Sequence, residues 1–292
     1  MYSPDNQEII SEIVSVACIT AISLVFGRKV ASIDGPVLYI RSLLLVLYGL
    51  TWAFNLISCM LISTNNGNYI SCILGLFNCV FVYTLTKMIL YLYFIEKIYI
   101  ISVPNASRFK SPLYIFNLVL LTPYLGLMIL MIVYRVALVH DEFPYHCTIG
   151  FQLPASISVL SYDILMNFLY LGIFIKFCLF PNTAQQTTRH ASSLHVMAKR
   201  STIAVLISLI TVAANYILMV VMEGAERGLI ALTMSTLDTT LVACAIHWVT
   251  THPSELQCTE KALQRTNGDK PVKLEIKQHQ EVVVLTEMAS QA

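Results

Sequence analysis

Residues 69–95 read YISCILGLFNCVFVYTLTKMILYLYFI, a run with a single charge, Lys87, closed by Glu96-Lys97. A bilayer core about 30 Å thick is crossed by about 20 apolar residues of helix, so this run is long enough to span. Backbone amides in lipid must pair within their own segment, and no alternating barrel pattern is present, so the run is read as a membrane helix. Six further stretches share its character: 9–26, 37–62, 112–137, 155–180, 201–222 and 229–250. Turn or charge signals separate them, among them Gly27-Arg28-Lys29, Asn65-Asn66-Gly67, Phe143-Pro144, Pro181-Asn182 and Gly224 to Gly228. The first stretch is the shortest and contains Glu12. Asp5 and Glu8 precede it in place of a basic segment, so it is read as a span and not as a cleaved signal peptide.

Composition agrees with this reading. Of 292 residues, 57% are hydrophobic and 12% charged, against about 45–50% and about 25% in soluble domains. The expected fold is an all-α, seven-transmembrane-helix bundle whose first partner is the lipid bilayer. The net charge of +1 carries no nucleic-acid signature.

Lys and Arg set the expected orientation, because cytoplasmic loops retain positive charge. With the N-terminus outside, the inner loops hold Arg28, Lys29, Lys97, Arg108, Lys110, Arg189, Lys199 and Arg200, and the tail adds Lys261, Arg265, Lys270, Lys273 and Lys277. That is thirteen inside against Arg227 alone outside, with Arg41, Lys87, Arg135 and Lys176 within spans. The expected organisation is a short outer N-terminus (1–8), the membrane domain (9–250), a membrane-surface helix over 251–265 and a disordered cytoplasmic tail over 266–292. The plasma membrane is the expected location, ahead of internal membranes.

Cys59, Cys72 and Cys147 lie near the expected outer face. A Cys72–Cys147 bridge would tie the second outer loop over the bundle mouth, with Cys59 as the competing partner. Cys258, in the membrane-surface segment, is a candidate for palmitoylation. The sequon Asn105-Ala106-Ser107 falls on the inner side, where it would be silent.

Seven spans, an outer N-terminus and such a bridge resemble a G-protein-coupled receptor. Glu96-Lys97-Ile98 ends span three twenty-four residues after Cys72, and rhodopsin-like receptors end this helix with an acidic-Arg-aromatic triplet at the same separation. Here Lys97 stands in the place of Arg and Ile98 in that of Tyr. Span seven ends Ala245-Ile246-His247-Trp248-Val249-Thr250 with no Asn-Pro-x-x-Tyr, and span six has no Cys-Trp-x-Pro. The segments Leu90 to Lys97, Cys147-Thr148-Ile149-Gly150 and Ile246 to Thr250 are similar to a group of uncharacterised fungal seven-transmembrane proteins. The resemblance implies a receptor-like membrane protein, with Glu96, Lys97, Arg189, Lys199 and Arg200 as a cytoplasmic coupling face for a heterotrimeric G protein or another partner.

Ionisable side chains in hydrocarbon are functional candidates, because each is costly unless paired or wet. Arg41, Arg135 and Lys176 lie close enough to span ends to snorkel. Lys87, Asp163 and Asp238 do not. At 1.5 Å per residue, Asp163 and Asp238 sit about 12–14 Å below the outer boundary, and Lys87 about 13 Å deeper. A direct contact from Lys87 then needs helix tilt or a water. Asn55, Asn78 and Asn215 share the carboxylate layer, and Asn167 lies one turn below Asp163. The layer reads either as a wet pocket for a small ligand, lined by Asp163, Asp238, Asn78, Asn167 and Asn215, or as interhelical hydrogen bonding, for which the asparagines are suited.

Span seven contains no lysine for retinal, the histidines form no metal-ligand spacing, and no nucleophile elbow or phosphate loop occurs. No cofactor and no enzymatic activity are expected. Three readings remain: a receptor for an extracellular small molecule; a proton- or ion-coupled transporter or lipid exporter using Asp163, Asp238 and Lys87; or a structural membrane protein with no ligand.

Overall fold

The computed structural model describes residues 6–32, 39–64, 69–102, 111–139, 147–179, 190–221 and 228–252. In chain order these form α1 (Asn6–Ala31), α2 (Tyr39–Ser63), α3 (Tyr69–Phe77), a π-helical turn (Asn78–Tyr83), α4 (Thr84–Ser102), α5 (Pro112–Val119), α6 (Pro123–Val133), β1 (Arg135–Val139), β2 (Cys147–Phe151), α7 (Leu153–Leu179), α8 (His190–Val221) and α9 (Gly228–Thr250). Seven helices are long and apolar enough to cross a membrane, with α3, the π turn and α4 making the third and α5 with α6 the fourth. The fold is the all-α seven-helix bundle of an integral, multi-pass membrane protein.

Several span ends differ from the sequence reading, among them α1, which runs to Ala31, and α4, which runs to Ser102; spans four and six show local reasons. Span four stops at Val133 and not at 137, because the chain turns at Tyr134 and Arg135 opens a strand. This span is also broken at Leu120–Thr122, ahead of Pro123, whose ring nitrogen has no proton to donate. The Leu120 carbonyl freed there accepts a hydrogen bond from the Tyr162 hydroxyl of α7. Helix α8 begins at His190, so Lys199 and Arg200 ride on a helix and not in a loop, with Met197 and Ala198 buried beside them.

The connection between spans four and five contains an antiparallel hairpin absent from the sequence reading. Its register runs from Arg135 opposite Phe151 to Val139 opposite Cys147. Two short apolar strands leaving the bundle satisfy each other's amides, which a loose loop against apolar helices could not do. Both strands pack against α3, and β2 also packs against α9, so the hairpin covers one end of the bundle. The opposite end, where α9 finishes at Thr250, is called the tail end below.

Helix α9 is the most buried of the seven spans and packs against α8, α1 and α2. Its sequence explains this position: Ala231, Thr233, Ser235, Thr236, Thr239, Thr240, Ala243 and Ala245 are all buried and small. Small residues let helix backbones approach closely in lipid, where no hydrophobic force drives helices together. Several hydroxyls fold back on the helix itself, as Thr233 Oγ1 does in donating to the Leu229 carbonyl at 2.6 Å. Around the outside, Ile10, Leu24, Met60, Ile70, Ile129, Leu165, Phe168 and Ile210 are exposed on successive spans. Such an apolar surface is suited to acyl chains and not to water.

The π turn is the irregular feature of the third span. Its wider winding resets the face that α4 presents relative to α3. Asn78 in this turn donates to Ser58 Oγ at 2.9 Å and to the Phe54 carbonyl at 3.4 Å, anchoring it to α2. Phe81 is 42% exposed and stacks on Phe77, with ring centroids 5.8 Å apart. Deleting Phe81 should therefore shorten the turn by one residue and misalign α4 with α9. Thermal unfolding in detergent is expected to show a clearly lower midpoint for the deletion than for Phe81→Ala, which removes only the lipid-facing ring.

Candidate functional site

In α4 and the preceding turn, Tyr83, Lys87 and Tyr91 recur every four residues and so occupy one helical face. All three are buried. The Lys87 ammonium lies 2.7 Å from Asp238 Oδ2 of α9, with side chains 3% and 1% exposed. The Tyr83 hydroxyl donates to the same oxygen at 2.6 Å, and its ring centroid is 5.3 Å from Lys87 Nζ. Asp238 Oδ2 thus receives an ammonium and a hydroxyl together, while Oδ1 has no hydrogen-bond partner among the described residues.

This contact corrects the depth count, which separates Lys87 from Asp238 by about 13 Å on straight helices. Helical side chains lean toward the helix N-terminus, so the long lysine stem reaches back toward the level of Asp238. The π turn above Lys87 takes up more residues per unit of rise, and helix tilt supplies the remainder. No water is needed between the two charges.

Asp163 of α7 is the second buried carboxylate, 1% exposed. Tyr91 donates to its Oδ1 at 3.1 Å, and the Tyr124 hydroxyl of α6 donates to the same oxygen. Asn167, one turn on, donates to Tyr91 Oη and to the Asp163 carbonyl, both at 2.9 Å. Tyr216 of α8, also buried, lies within electrostatic reach of both Asp163 and Tyr83. Asn215, beside it, reaches Tyr83 Oη and Ser235 Oγ, each at 3.4 Å. Two hydrogen-bonded groups result, Lys87–Asp238–Tyr83–Asn215 and Tyr124–Asp163–Tyr91–Asn167, with Tyr216 close to both, and together they draw on spans three to seven.

The two carboxylates and one ammonium carry one negative charge in excess when all are ionised. Tyrosine hydroxyls, which donate without adding charge, surround that excess. Tyr91 stacks on Tyr170 with ring centroids 5.6 Å apart, and Phe94 packs tilted against Tyr170 at 5.9 Å, an aromatic column between α4 and α7. A proton, a small cation or a ligand amine is the kind of species this chain of groups can accept.

The remaining expected residues fall elsewhere. Asn78 bonds to α2 and not to either carboxylate, as an interhelical tie. Asn55, at the same depth, donates to Thr240 Oγ1 at 2.7 Å. Glu96 and Lys97, expected on an open coupling face, are 2% and 1% exposed. The third span runs through the middle of the bundle, so its end is enclosed: Tyr114 of α5 donates to Glu96 Oε1 at 3.1 Å, and Lys97 Nζ lies 5.3 Å from the Tyr93 ring centroid. Lys199 is exposed, and Arg200 lies 4.4 Å over the Trp248 ring while donating to the Trp248 carbonyl at 3.0 Å. Cys59 is a free thiol and Cys72 is in a disulfide. Arg189, Cys258 and the side chain of Cys147 lie outside the described residues.

Tyr83, Tyr91, Tyr124 and Tyr216 are the residues that sequence reasoning missed. For the first two a signal exists, since they stand four residues either side of Lys87. For Tyr124 and Tyr216 there is none, because only packing brings their helices to Asp163.

Removing one member of a buried ion pair leaves the other charge uncompensated, at a cost of about 3–5 kcal/mol. Lys87→Met and Asp238→Asn should each lower thermal stability strongly. The double variant should be more stable than either single one, a non-additivity that a double-mutant cycle in detergent measures directly.

In comparisons with known proteins no family model matches the chain and no curated protein sequence is similar to it, so its reading rests on the bundle and this buried network.

Proposed function

We propose that the chain is a receptor-like seven-helix membrane protein in which the Lys87–Asp238 pair holds the third and seventh spans in a resting arrangement. The observation that carries this reading is the 2.7 Å contact itself, buried and shared with Tyr83. Such a pair has two discrete states, closed or broken, and an agent that binds better to one of them shifts the population. A ligand amine or another cation from the hairpin end that took over Asp238 would release Lys87. The enclosed Glu96 and Lys97 then belong to a closed tail end, which opening of the bundle would offer to a cytoplasmic partner such as a heterotrimeric G protein. The excess of basic residues at this end supports an outer N-terminus and an inner C-terminus. Likeness to fungal seven-helix proteins and to rhodopsin-like receptors agrees with this function and with the plasma membrane as its site.

We further propose that Cys72 pairs with Cys147, which would pin the hairpin over the end of the bundle. Packing of β2 on α3 and the free thiol at Cys59 support this pairing over its competitor.

A second reading is favoured by one observation, the placing of the Tyr83 and Tyr216 hydroxyls near both Asp238 and Asp163. Hydroxyls between two carboxylates can relay a proton, as a proton-coupled transporter requires. Lys87, 2% exposed, is sealed from both ends in this conformation, whereas a transporter needs a further state that wets it.

Guanine-nucleotide exchange on co-expressed G proteins separates the two. Under the receptor reading Lys87→Met and Asp238→Asn raise basal exchange several-fold, and the swap of Lys87→Asp with Asp238→Lys brings it back toward the parent level. Unchanged exchange in all three, together with proton uptake into proteoliposomes that Asp163→Asn abolishes, would establish the transporter instead. For the disulfide, alkylation before reduction should leave the Cys72 peptide unmodified in the parent protein and modified in Cys147→Ser.

A further inference from the structure

Helix α6 is loosely anchored: between Pro123 and Val133 only Tyr124 and Met131 are buried. Between it and α7 runs a groove of about 600 Å³, walled by Pro123, Gly126 and Leu130 on one side and by Ser158, Tyr162 and Leu165 on the other, among others. A Cβ at Gly126 would meet nothing within 4 Å. Glycine inside a helix is costly, and here no close approach of another helix accounts for it. Leu125, Ile129 and Phe168 lie on the same two helices and are exposed. The groove is therefore continuous with the apolar surface that meets the bilayer, and its occupant comes from the bilayer.

The lining narrows the choice among bilayer components. Among the described residues no charged side chain lines the groove, which leaves a neutral occupant. Three hydroxyls line it, and each already has its proton placed within the protein. Ser158 donates to the Pro154 carbonyl at 2.7 Å, Ser161 to the Ser158 carbonyl at 3.0 Å, and Tyr162 to the Leu120 carbonyl. Each hydroxyl oxygen keeps acceptor capacity, so the groove offers acceptors and no donor. The ester and phosphate oxygens of phosphatidylcholine are acceptors as well and find no partner here. An occupant with one O–H group does.

Length and depth agree. From Leu130 to Pro123, and from Ser158 to Leu165, the walls extend seven residues, about 10 Å, a length that fused rings fill. Ser158 lies five residues into α7, about 8 Å below the hairpin end of the helix, so the acceptors sit toward the headgroups and the apolar walls deeper. We propose that this groove holds a sterol from the surrounding bilayer, its hydroxyl donating to Ser158 or Ser161 and its rings lying flat over Gly126. A rigid ring system also loses less conformational freedom on binding than an acyl chain does. The Tyr162 ring meets that of Tyr124 edge-on, with centroids 5.2 Å apart, and the Tyr124 hydroxyl donates to Asp163. A sterol against Tyr162 thus bears on the buried carboxylate through two rings. This inference is independent of whether the Lys87–Asp238 pair serves a receptor or a transporter.

The test uses the full chain in nanodiscs of phosphatidylcholine with a minor fraction of cholesterol bearing a diazirine on its rings. After irradiation the labelled peptides are mapped by mass spectrometry. Label is expected on α6 and α7, displaced by excess cholesterol and not by its methyl ether, which has no proton to donate. Gly126→Leu, which fills the groove without meeting the protein, should remove most of the label while leaving the thermal midpoint in sterol-free nanodiscs at or above the parent's. Joint Ser158→Ala and Ser161→Ala should weaken labelling about fivefold, the loss of one ordinary hydrogen bond. Gly27→Leu, at another position with nothing within 4 Å, should leave it unchanged. Label spread evenly over all spans, equal displacement by the methyl ether, or full labelling of Gly126→Leu would overturn the proposal. So would a disulfide-linked dimer of Gly126→Cys that takes no label, which would assign the groove to a second copy of the chain.

Discussion

A lysine ammonium in the middle of a helix bundle can exist only if it is neutralised there, and the placing of the third and seventh spans follows from that requirement. Lys87 meets Asp238 at 2.7 Å, and the pair binds the two most enclosed stretches of the protein to each other. In water such a bridge would contribute little. Inside a bundle the alternative to pairing is a naked charge in a medium of low dielectric, so the contact constrains geometry more than it adds net stability. The π turn, the small residues of α9 and the lean of the lysine stem are the features that let it form.

From this pair the polar groups spread outward by the same rule. Asp238 has Tyr83 on its second side, Asp163 has Tyr91 and Tyr124, and Asn167 and Asn215 close the edges. Each interhelical hydrogen bond in such a bundle contributes modestly, about 0.6 kcal/mol on average. Their joint effect is specificity, because displacing one helix would leave several polar atoms without partners at once. A network held this tightly in one arrangement, and able to break at one charged contact, is suited to switching.

Reading the fold from the sequence succeeded where the bilayer itself imposes the rule. The seven spans were legible because hydrocarbon excludes charge over a fixed thickness, and their ends depart most from the reading where the helices run on past the apolar stretch, as α1 does to Ala31, α4 to Ser102 and α8 from His190. Lys87, Asp163 and Asp238 stood out for the same reason. Their partners did not, since tyrosine is common in membrane helices and an isolated Tyr124 or Tyr216 gives no sign of what its hydroxyl meets. The hairpin of Arg135–Val139 and Cys147–Phe151 was missed because Phe143-Pro144 marks a break without showing which residues pair across it, and 135–137 read as the end of span four.

The chain alone thus determined that it has seven stretches able to span a membrane, which of its charges must lie within them, and that its basic residues collect toward one end of the bundle. These properties depend on composition and on distance along one helix, both of which are written in linear order. Tertiary structure alone decided that Lys87 touches Asp238, that tyrosines surround both it and Asp163, and that Glu96 and Lys97 are enclosed. Those facts depend on rotation, tilt and the extra winding of one π turn, which move a side chain by several ångströms without changing any residue's place in the sequence.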